Sequence, residues 1–177
     1  MDSDIEEMVQ TCETCRTVQK NPPRCALKPW LAASTPWERL HIDLPGPVDG
    51  RTYLLLVDSY SKWPEVALLG KVTSSCVIDA LKTIFSHQGM PAVLVTGNGR
   101  QFVSSEFAIF CASNGIRHLT TAPYMPQSNG QVERFVDTFK RALKKKHERQ
   151  TIKDCIREFL MMYRMMYTTP DHPLQPV

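Results

Sequence analysis

The spacing of hydrophobic and polar residues changes between the strand and helix periods several times along this chain. Three strands are predicted first: an alternating segment, a continuous apolar run and a shorter segment, at residues 40–44, 53–58 and 64–69. Helical spacing then alternates with short apolar runs, which predicts helix 73–88, strand 92–96, helix 104–114, strand 116–120 and helices 128–148 and 151–166. The predicted order is three strands, then helix, strand, helix, strand and two helices.

The N-terminal segment has a different composition from the rest of the chain. Residues 2–20 predict a short helix around Cys12 and Cys15, and the prolines between residues 21 and 37 predict an extended connector. We therefore expect one main domain, which begins near residue 38, after a short appendage and a linker.

The composition is that of a globular chain. Its 177 residues suit one domain with a substantial core, and 42% hydrophobic with 22% charged residues argues against disorder. No apolar run is long enough to span a bilayer and no signal peptide begins the chain, so we expect a nuclear or cytoplasmic protein that is not secreted and has no membrane partner. The net charge of +3 is too small to indicate nucleic acid by itself.

Two acidic residues lie on separate predicted elements of the chain. Asp43 lies in the first predicted strand, and Glu133 lies near the start of the long helix. Carboxylates from different elements can converge on Mg²⁺, and a pair of such ions about 4 Å apart supports phosphodiester chemistry. Taken alone, Asp43 could instead form a turn, and Glu133 could favour a helix N-terminus.

Three motifs resemble the gypsy-type retrotransposon integrases, within the retroviral integrase catalytic core family. They are H-I-D-L-P-G-P, L-L-V-D-S-Y-S-K-W-P-E-V and A-P-Y-M-P-Q-S-N-G-Q-V-E-R, at residues 41–47, 55–66 and 122–134. The resemblance covers essentially the whole chain. It implies an RNase H-like α/β fold, with a mixed five-stranded sheet flanked by helices. It also implies Mg²⁺- or Mn²⁺-dependent strand transfer of DNA, with Gln127, Ser128 and Asn129 in a DNA-binding loop beside the site.

One family ligand is missing from this chain. In the family, the second catalytic aspartate begins Asp-Asn-Gly-x-Gln-Phe and precedes the glutamate with 35 residues between them. This chain reads Gly-Asn-Gly-Arg-Gln-Phe at residues 97–102, so Gly97 stands at that position. The resemblance then leaves Asp43 and Glu133 as the catalytic metal ligands, with metal binding weak or lost and catalysis impaired. Met125 also replaces a histidine that is usual in the family.

A line of basic residues follows Glu133 along its helix. Lys140 and Lys144 fall on the same face as the glutamate, because residues at helical spacing align. This position suits contact with DNA phosphates. The alternatives are a solvated helix face and a nuclear-localisation patch at residues 140–149. Asp58 we interpret as a strand terminator that holds Ser59 and Ser61 in the next turn.

Cys12 and Cys15 have the spacing of half a zinc site. A structural zinc needs four ligands, and no histidine or cysteine precedes Cys12. The resemblance implies that residues 1–20 are a remnant of the family's N-terminal zinc-binding domain, residues 21–37 a linker and residues 38–177 the catalytic core. We expect two free thiols rather than bound zinc.

Two functional hypotheses remain after these observations. In the first, the chain is an integrase-like DNA-binding module derived from a retrotransposon, with catalysis impaired at Gly97. In the second, it is a residually active polynucleotidyl transferase that carries out DNA strand transfer. A homodimer is compatible with either, because integrase cores commonly dimerise.

Overall fold

The computed structural model describes residues 33–121, 130–145 and 150–167. These residues contain strands and helices in the predicted order: β1 Arg39–Asp43, β2 Thr52–Asp58, β3 Pro64–Leu69, α1 Ser74–Gln88, β4 Val93–Thr96, α2 Ser105–Ser113, β5 Arg117–Thr120, α3 Gly130–Lys144 and α4 Ile152–Tyr167. The helix predicted around Cys12 and Cys15 lies outside the described residues.

The strands form one mixed sheet in the order β3-β2-β1-β4-β5. The first three strands pair antiparallel, as a meander with short turns requires. β4 and β5 join as parallel strands, β4 beside β1 and β5 beside β4, after helical crossovers. The predicted mixed five-stranded sheet is confirmed, and β1 lies at its centre between an antiparallel and a parallel neighbour.

Strand alternation divides the core into two layers. On one face, Leu40, Ile42, Leu54 and Leu56 pack with α1 and α2. On the other face, the sheet packs against α3 and α4 through side chains that alternate with the first set along β2, namely Tyr53, Leu55 and Val57. The sheet is therefore covered by helices on both sides, which explains the continuous apolar run of β2.

The apolar stripe predicted on α3 is buried against the sheet, at Val132, Phe135, Val136, Phe139 and Leu143. Its aromatic rings join a cluster with β2 and α4. The centroids of Phe139 and Tyr53 are 5.2 Å apart and those of Phe135 and Tyr163 are 5.0 Å apart, both edge to face. This packing fixes the rotation of α3 about its axis.

The helix ends follow local capping chemistry where the structure describes them. Thr73 and Ser104 cap α1 and α2, each accepting a hydrogen bond from the backbone N–H three residues later. Helix α3 ends at Lys144, earlier than the predicted residue 148, and its predicted cap Ser128 lies outside the described residues. Within those residues, no helix is both long and apolar enough to cross a membrane.

Asp58 ends β2 and fixes the turn that follows, as predicted. Its carboxylate is fully buried and accepts hydrogen bonds from the backbone N–H of Ser61 at 2.8 Å and from the Ser61 hydroxyl at 2.6 Å. It also accepts from the backbone N–H of Trp37 at 3.1 Å, which the sequence did not indicate. The predicted contact with Ser59 is replaced by pairing of the Ser59 N–H with the Arg39 carbonyl.

We predict that Asp58→Ala lowers the free energy of unfolding by about 3 kcal/mol, because it leaves buried donors without an acceptor. Urea denaturation would measure the change. Asp79→Ala, at an exposed position of α1, is the control and should change the stability little. A loss at Asp58 no larger than at Asp79 would show that this carboxylate does not hold the turn.

Candidate active site

The parallel pairing of β1 with β4 brings Asp43 beside Gly97. The last aligned pair between these strands is Ile42 with Thr96, so the next positions along the two strands are 43 and 97. The side chain of Ile42 packs on the α1 and α2 face, and strand alternation therefore places Asp43 on the face covered by α3. The carboxylate thus lies on the side of the sheet from which α3 approaches.

Glu133 reaches Asp43 from the first turn of α3. Burial raises the pKa of the Glu133 carboxyl, and the negative charge of Asp43 raises it further. The pKa of Asp43 is also raised, chiefly by burial, although a hydrogen bond with the Leu44 backbone and the positive charge of Lys140 oppose this. The structure therefore brings the two predicted carboxylates together, with Lys140 close to Asp43.

The backbone conformation at Gly97 does not require glycine. Its φ angle lies outside the left-handed region, in contrast to Gly50, Gly89 and Gly115. A Cβ added at Gly97 would meet no atom within 4 Å. A larger side chain therefore has room there, and the missing carboxylate does not follow from steric need.

The backbone of Gly97 is held by neighbouring side chains that the sequence did not single out. The buried Thr96 hydroxyl donates to the Gly97 carbonyl at 2.9 Å and lies 2.8 Å from His118 Nε2. Because the hydroxyl hydrogen is used on Gly97, His118 donates to Thr96 through Nε2. Burial lowers the pKa of His118, which favours its neutral form. Pairing between β4 and β5 creates this arrangement, so no short motif could reveal it.

The side chain of Asn98 is tied to a neighbouring segment. Its side-chain Nδ2 donates to the carbonyl of Thr121 at 2.7 Å, which ties this amide to the segment after β5. Among the described residues, no group of three or more His, Cys, Asp or Glu side chains could hold a metal ion. The carboxylates that converge here are those of Asp43 and Glu133.

The family comparisons agree with this geometry. One family model described as an integrase core domain matches residues 35–126, and a second with the same description matches residues 114–171. The chain belongs to the integrase core domain family.

The relatives of this integrase core come from Caenorhabditis elegans and from viruses. It is 43% identical over 165 residues to an uncharacterized protein of Caenorhabditis elegans. The aligned region covers 93% of this chain and 13% of that protein. It is 34% identical over 151 residues to the Gag-Pro-Pol polyprotein of Human T-cell leukemia virus 2. The aligned region covers 80% of this chain and 10% of the polyprotein. The chain thus spans only a small part of the curated relatives it matches.

Solved structures confirm the predicted RNase H-like integrase core fold. One similar structure is the intasome of simian T-cell lymphotropic virus in complex with PP2A regulatory subunit B56 gamma. A chain of it superposes with a TM-score of 0.70 at 25% identity, over 92% of this chain and 60% of that one. A second similar structure is the dimeric form of the HTLV-2 integrase catalytic core in complex with magnesium. It superposes with a TM-score of 0.61 at 28% identity, over 73% of this chain and 87% of that one.

The donor set of this integrase core fits one divalent cation better than two. Asp43 and Glu133 offer hard carboxylate oxygens, which Mg²⁺ and Mn²⁺ prefer, and water can complete the coordination of a single ion. A pair of ions needs further carboxylates to bridge and balance its charge. Gly97 supplies none, so the residues present do not fit a pair of ions.

The predicted basic face of α3 is present beside this integrase site. Half-buried Lys140 and exposed Lys144 line a groove of about 560 Å³ together with residues 47–49 and Leu143. Asp137, between Glu133 and Lys140 on the helix, forms an exposed salt bridge with Arg141 at 2.6 Å. The lysines therefore face a groove that begins just beyond the end of β1, and we call it the lysine groove.

Several predicted residues lie outside the described part of the integrase core. They are the loop residues Gln127, Ser128 and Asn129, the departure at Met125, and the cysteine pair Cys12 and Cys15. Their roles stay predictions. Cys76 and Cys111 are free thiols, and burial raises the pKa of Cys111 to about 11.

We predict that Glu133→Gln raises the free energy of unfolding at about pH 7.5 in metal-free buffer. The pKa of Glu133 is higher in the folded state than in the unfolded state. The protonated carboxyl at low pH therefore leaves the fold stable, and this stability is lost as the pH rises through the folded pKa and the carboxyl ionises beside Asp43. The gain should therefore disappear near pH 4. Urea denaturation at both pH values would measure it.

Glu106→Gln is the matched control for this experiment, because Glu106 lies in the first turn of α2 as Glu133 does in α3. Both changes remove a negative charge from a helix N-terminus, but only Glu133 faces another carboxylate. Equal effects of the two substitutions would show that Asp43 and Glu133 do not repel each other in solution.

Proposed function

We propose that this chain is a DNA-binding integrase core of retrotransposon origin, related to the gypsy-type elements, in which catalysis is impaired by the loss of one metal ligand. The observation that carries the proposal is the convergence of Asp43 and Glu133 beside Gly97, where a third carboxylate has room but is absent. The magnesium in the related HTLV-2 core supports Mg²⁺ or Mn²⁺ as the ion, bound here by two carboxylates and hence weakly.

The lysine groove supports DNA as the partner. Lys140 and Lys144 bring two positive charges beside the carboxylates, where a DNA phosphate can approach without a base-specific contact. Binding through such contacts releases counterions and depends steeply on salt. The proposed activity is therefore weak, salt-sensitive and sequence-independent binding of DNA.

The wider organisation follows from the same proposal. Residues 38–177 form the core, residues 21–37 the linker and residues 1–20 the remnant of a zinc-binding domain. The dimeric form of the HTLV-2 core supports a homodimer. In this organisation the described residues provide the metal-binding carboxylates and the lysine groove.

We predict that Gly97→Asp raises the affinity for Mn²⁺ at least tenfold, because a third carboxylate completes the ligand set. Isothermal titration on the wild type and the variant would measure the affinities. Gly70→Asp is the control, since Gly70 is also free of steric contacts but lies after β3, away from the site. Equal and tight binding by wild type and Gly97→Asp would show that another acid already completes the site.

Residual strand transfer by the wild type is the competing function, favoured by the presence of both Asp43 and Glu133. A strand-transfer assay with labelled DNA ends and Mn²⁺ distinguishes the two. Our proposal predicts no product above that of an Asp43→Asn variant. Product that requires Asp43 and Glu133 would establish a one-metal enzyme instead.

We predict that replacing Lys140 and Lys144 together by Ala makes the negative slope of log affinity for duplex DNA against log salt shallower by about two units, roughly 0.9 per lost phosphate contact. Fluorescence anisotropy over a range of KCl concentrations would measure the slope. A Lys71→Ala and Lys82→Ala double variant, which removes the same charge from exposed positions elsewhere, is the control. An unchanged slope in the α3 variant would assign the two lysines to solvent.

A further inference from the structure

Three basic side chains converge at the other end of β1 from the lysine groove. Arg39 begins β1, Lys62 lies in the turn between β2 and β3, and Arg134 follows Glu133 on α3. Arg39 Nε donates to the Ser59 hydroxyl at 3.4 Å, and the Lys62 ammonium donates to the Ser59 carbonyl. Arg134 lies close enough for its charge to act on Lys62. We call these three residues the Lys62 cluster.

The positive charge of Lys62 is disfavoured in the protein alone. Its side chain is half-buried, and its pKa is lowered first by that burial and then by the charges of Arg39 and Arg134. Asp58 opposes the shift, but both oxygens of its carboxylate already accept hydrogen bonds from Trp37 and Ser61. The cluster therefore keeps a net positive charge, and its members repel one another.

The backbone holds Lys62 in an uncommon conformation that supports this arrangement. Lys62 has a φ angle of 63°, in the left-handed region that residues other than glycine seldom adopt. The Lys62 N–H donates to the Asp58 carbonyl at 3.0 Å, and the Asp58 N–H donates to the Trp63 carbonyl at 2.9 Å. These bonds fix the turn, and the turn brings the Lys62 ammonium back to Ser59 beside Arg39.

The position of the cluster relates it to the candidate active site. Arg39 and Asp43 are the first and last residues of β1, about 13 Å apart at the rise of a strand. The lysine groove begins beyond Asp43, at Pro47. Asp43 and Glu133 therefore lie between two positively charged surfaces, with Arg134 adjacent to Glu133 in sequence.

We propose that the Lys62 cluster is a second phosphate-binding site for the nucleic-acid backbone, at the opposite end of β1 from the lysine groove. A phosphate relieves the repulsion among the three cations and forms charge-assisted hydrogen bonds with them. A backbone that contacts both surfaces passes over Asp43 and Glu133. This inference rests on the proposed function, because it assumes that the chain binds DNA.

The test compares DNA binding by three proteins in fluorescence anisotropy with a labelled 20-base-pair duplex over a range of KCl concentrations. They are the wild type, a Lys62→Met and Arg134→Gln double variant, and Lys82→Met as control, since exposed Lys82 lies on α1 at the opposite face of the sheet. Methionine keeps the apolar stem of Lys62 and removes its charge. The negative slope of log affinity against log salt should become shallower by about two units in the double variant and should not change in the control.

Each outcome decides one of the proposals. A wild type that shows no salt-dependent DNA binding would contradict the proposed function itself. A wild type that binds, together with a double variant whose slope equals that of Lys82→Met, would overturn the second phosphate site alone. Thermal denaturation of each protein shows whether a weaker variant is still folded.

Arg134→Gln alone keeps the proposal falsifiable if Lys62→Met does not fold. Arg134 is exposed on α3, so its substitution should leave the melting temperature nearly unchanged. The single variant should make the negative slope shallower by about one unit. An unchanged slope in a folded Arg134→Gln protein would remove Arg134 from the site and contradict the cluster as proposed.

Discussion

The parallel pairing of β1 with β4 is the constraint on which the candidate site depends. β1 is the only described strand that pairs antiparallel on one side and parallel on the other. Its antiparallel neighbour fixes which residues face each helical layer, and its parallel neighbour aligns its end with the end of β4. Asp43 therefore lies beside position 97 on the α3 face, and a one-residue slip would turn Asp43 toward α1 and α2.

Packing of α3 on this sheet supplies the second half of the site. Five buried apolar residues at helical spacing fix the rotation of the helix, and the contact between Phe139 and Tyr53 fixes its position along β2. With these set, Glu133 meets Asp43, and Lys140 and Lys144 line the groove beyond it. The charges at this site are thus arranged by apolar contacts, at a cost in repulsion between Asp43 and Glu133 that a cation would offset.

Much of the fold and part of the site could be predicted from the sequence, because short hydrophobic patterns and motifs indicate both. The alternation in β1, the apolar run of β2 and the stripe of α3 each report a buried face, and the long motifs around Asp43 and Glu133 placed the carboxylates. The role of Asp58 in its turn followed from its place at a strand end. The end of α3 was placed too late, because the basic segment after Lys144 continues the helical composition.

The features that were missed depend on contacts between distant segments. The bond from Trp37 to Asp58 joins residues 21 positions apart, and the bond between Thr96 and His118 joins residues 22 positions apart. The Lys62 cluster draws on β1, α3 and a left-handed turn. None of these contacts leaves a periodic or motif signal in the sequence, since each depends on the sheet order and the strand register.

We infer that position 97 is the missing ligand position of an integrase metal site. Anomalous diffraction from crystals of Gly97→Asp soaked in Mn²⁺ tests it most directly. We expect a manganese peak about 2 Å from oxygens of both Asp43 and the introduced carboxylate, with no peak of equal height in wild-type crystals. A peak of full occupancy in the wild type, or none near Asp43 in the variant, would show that position 97 is not a ligand position.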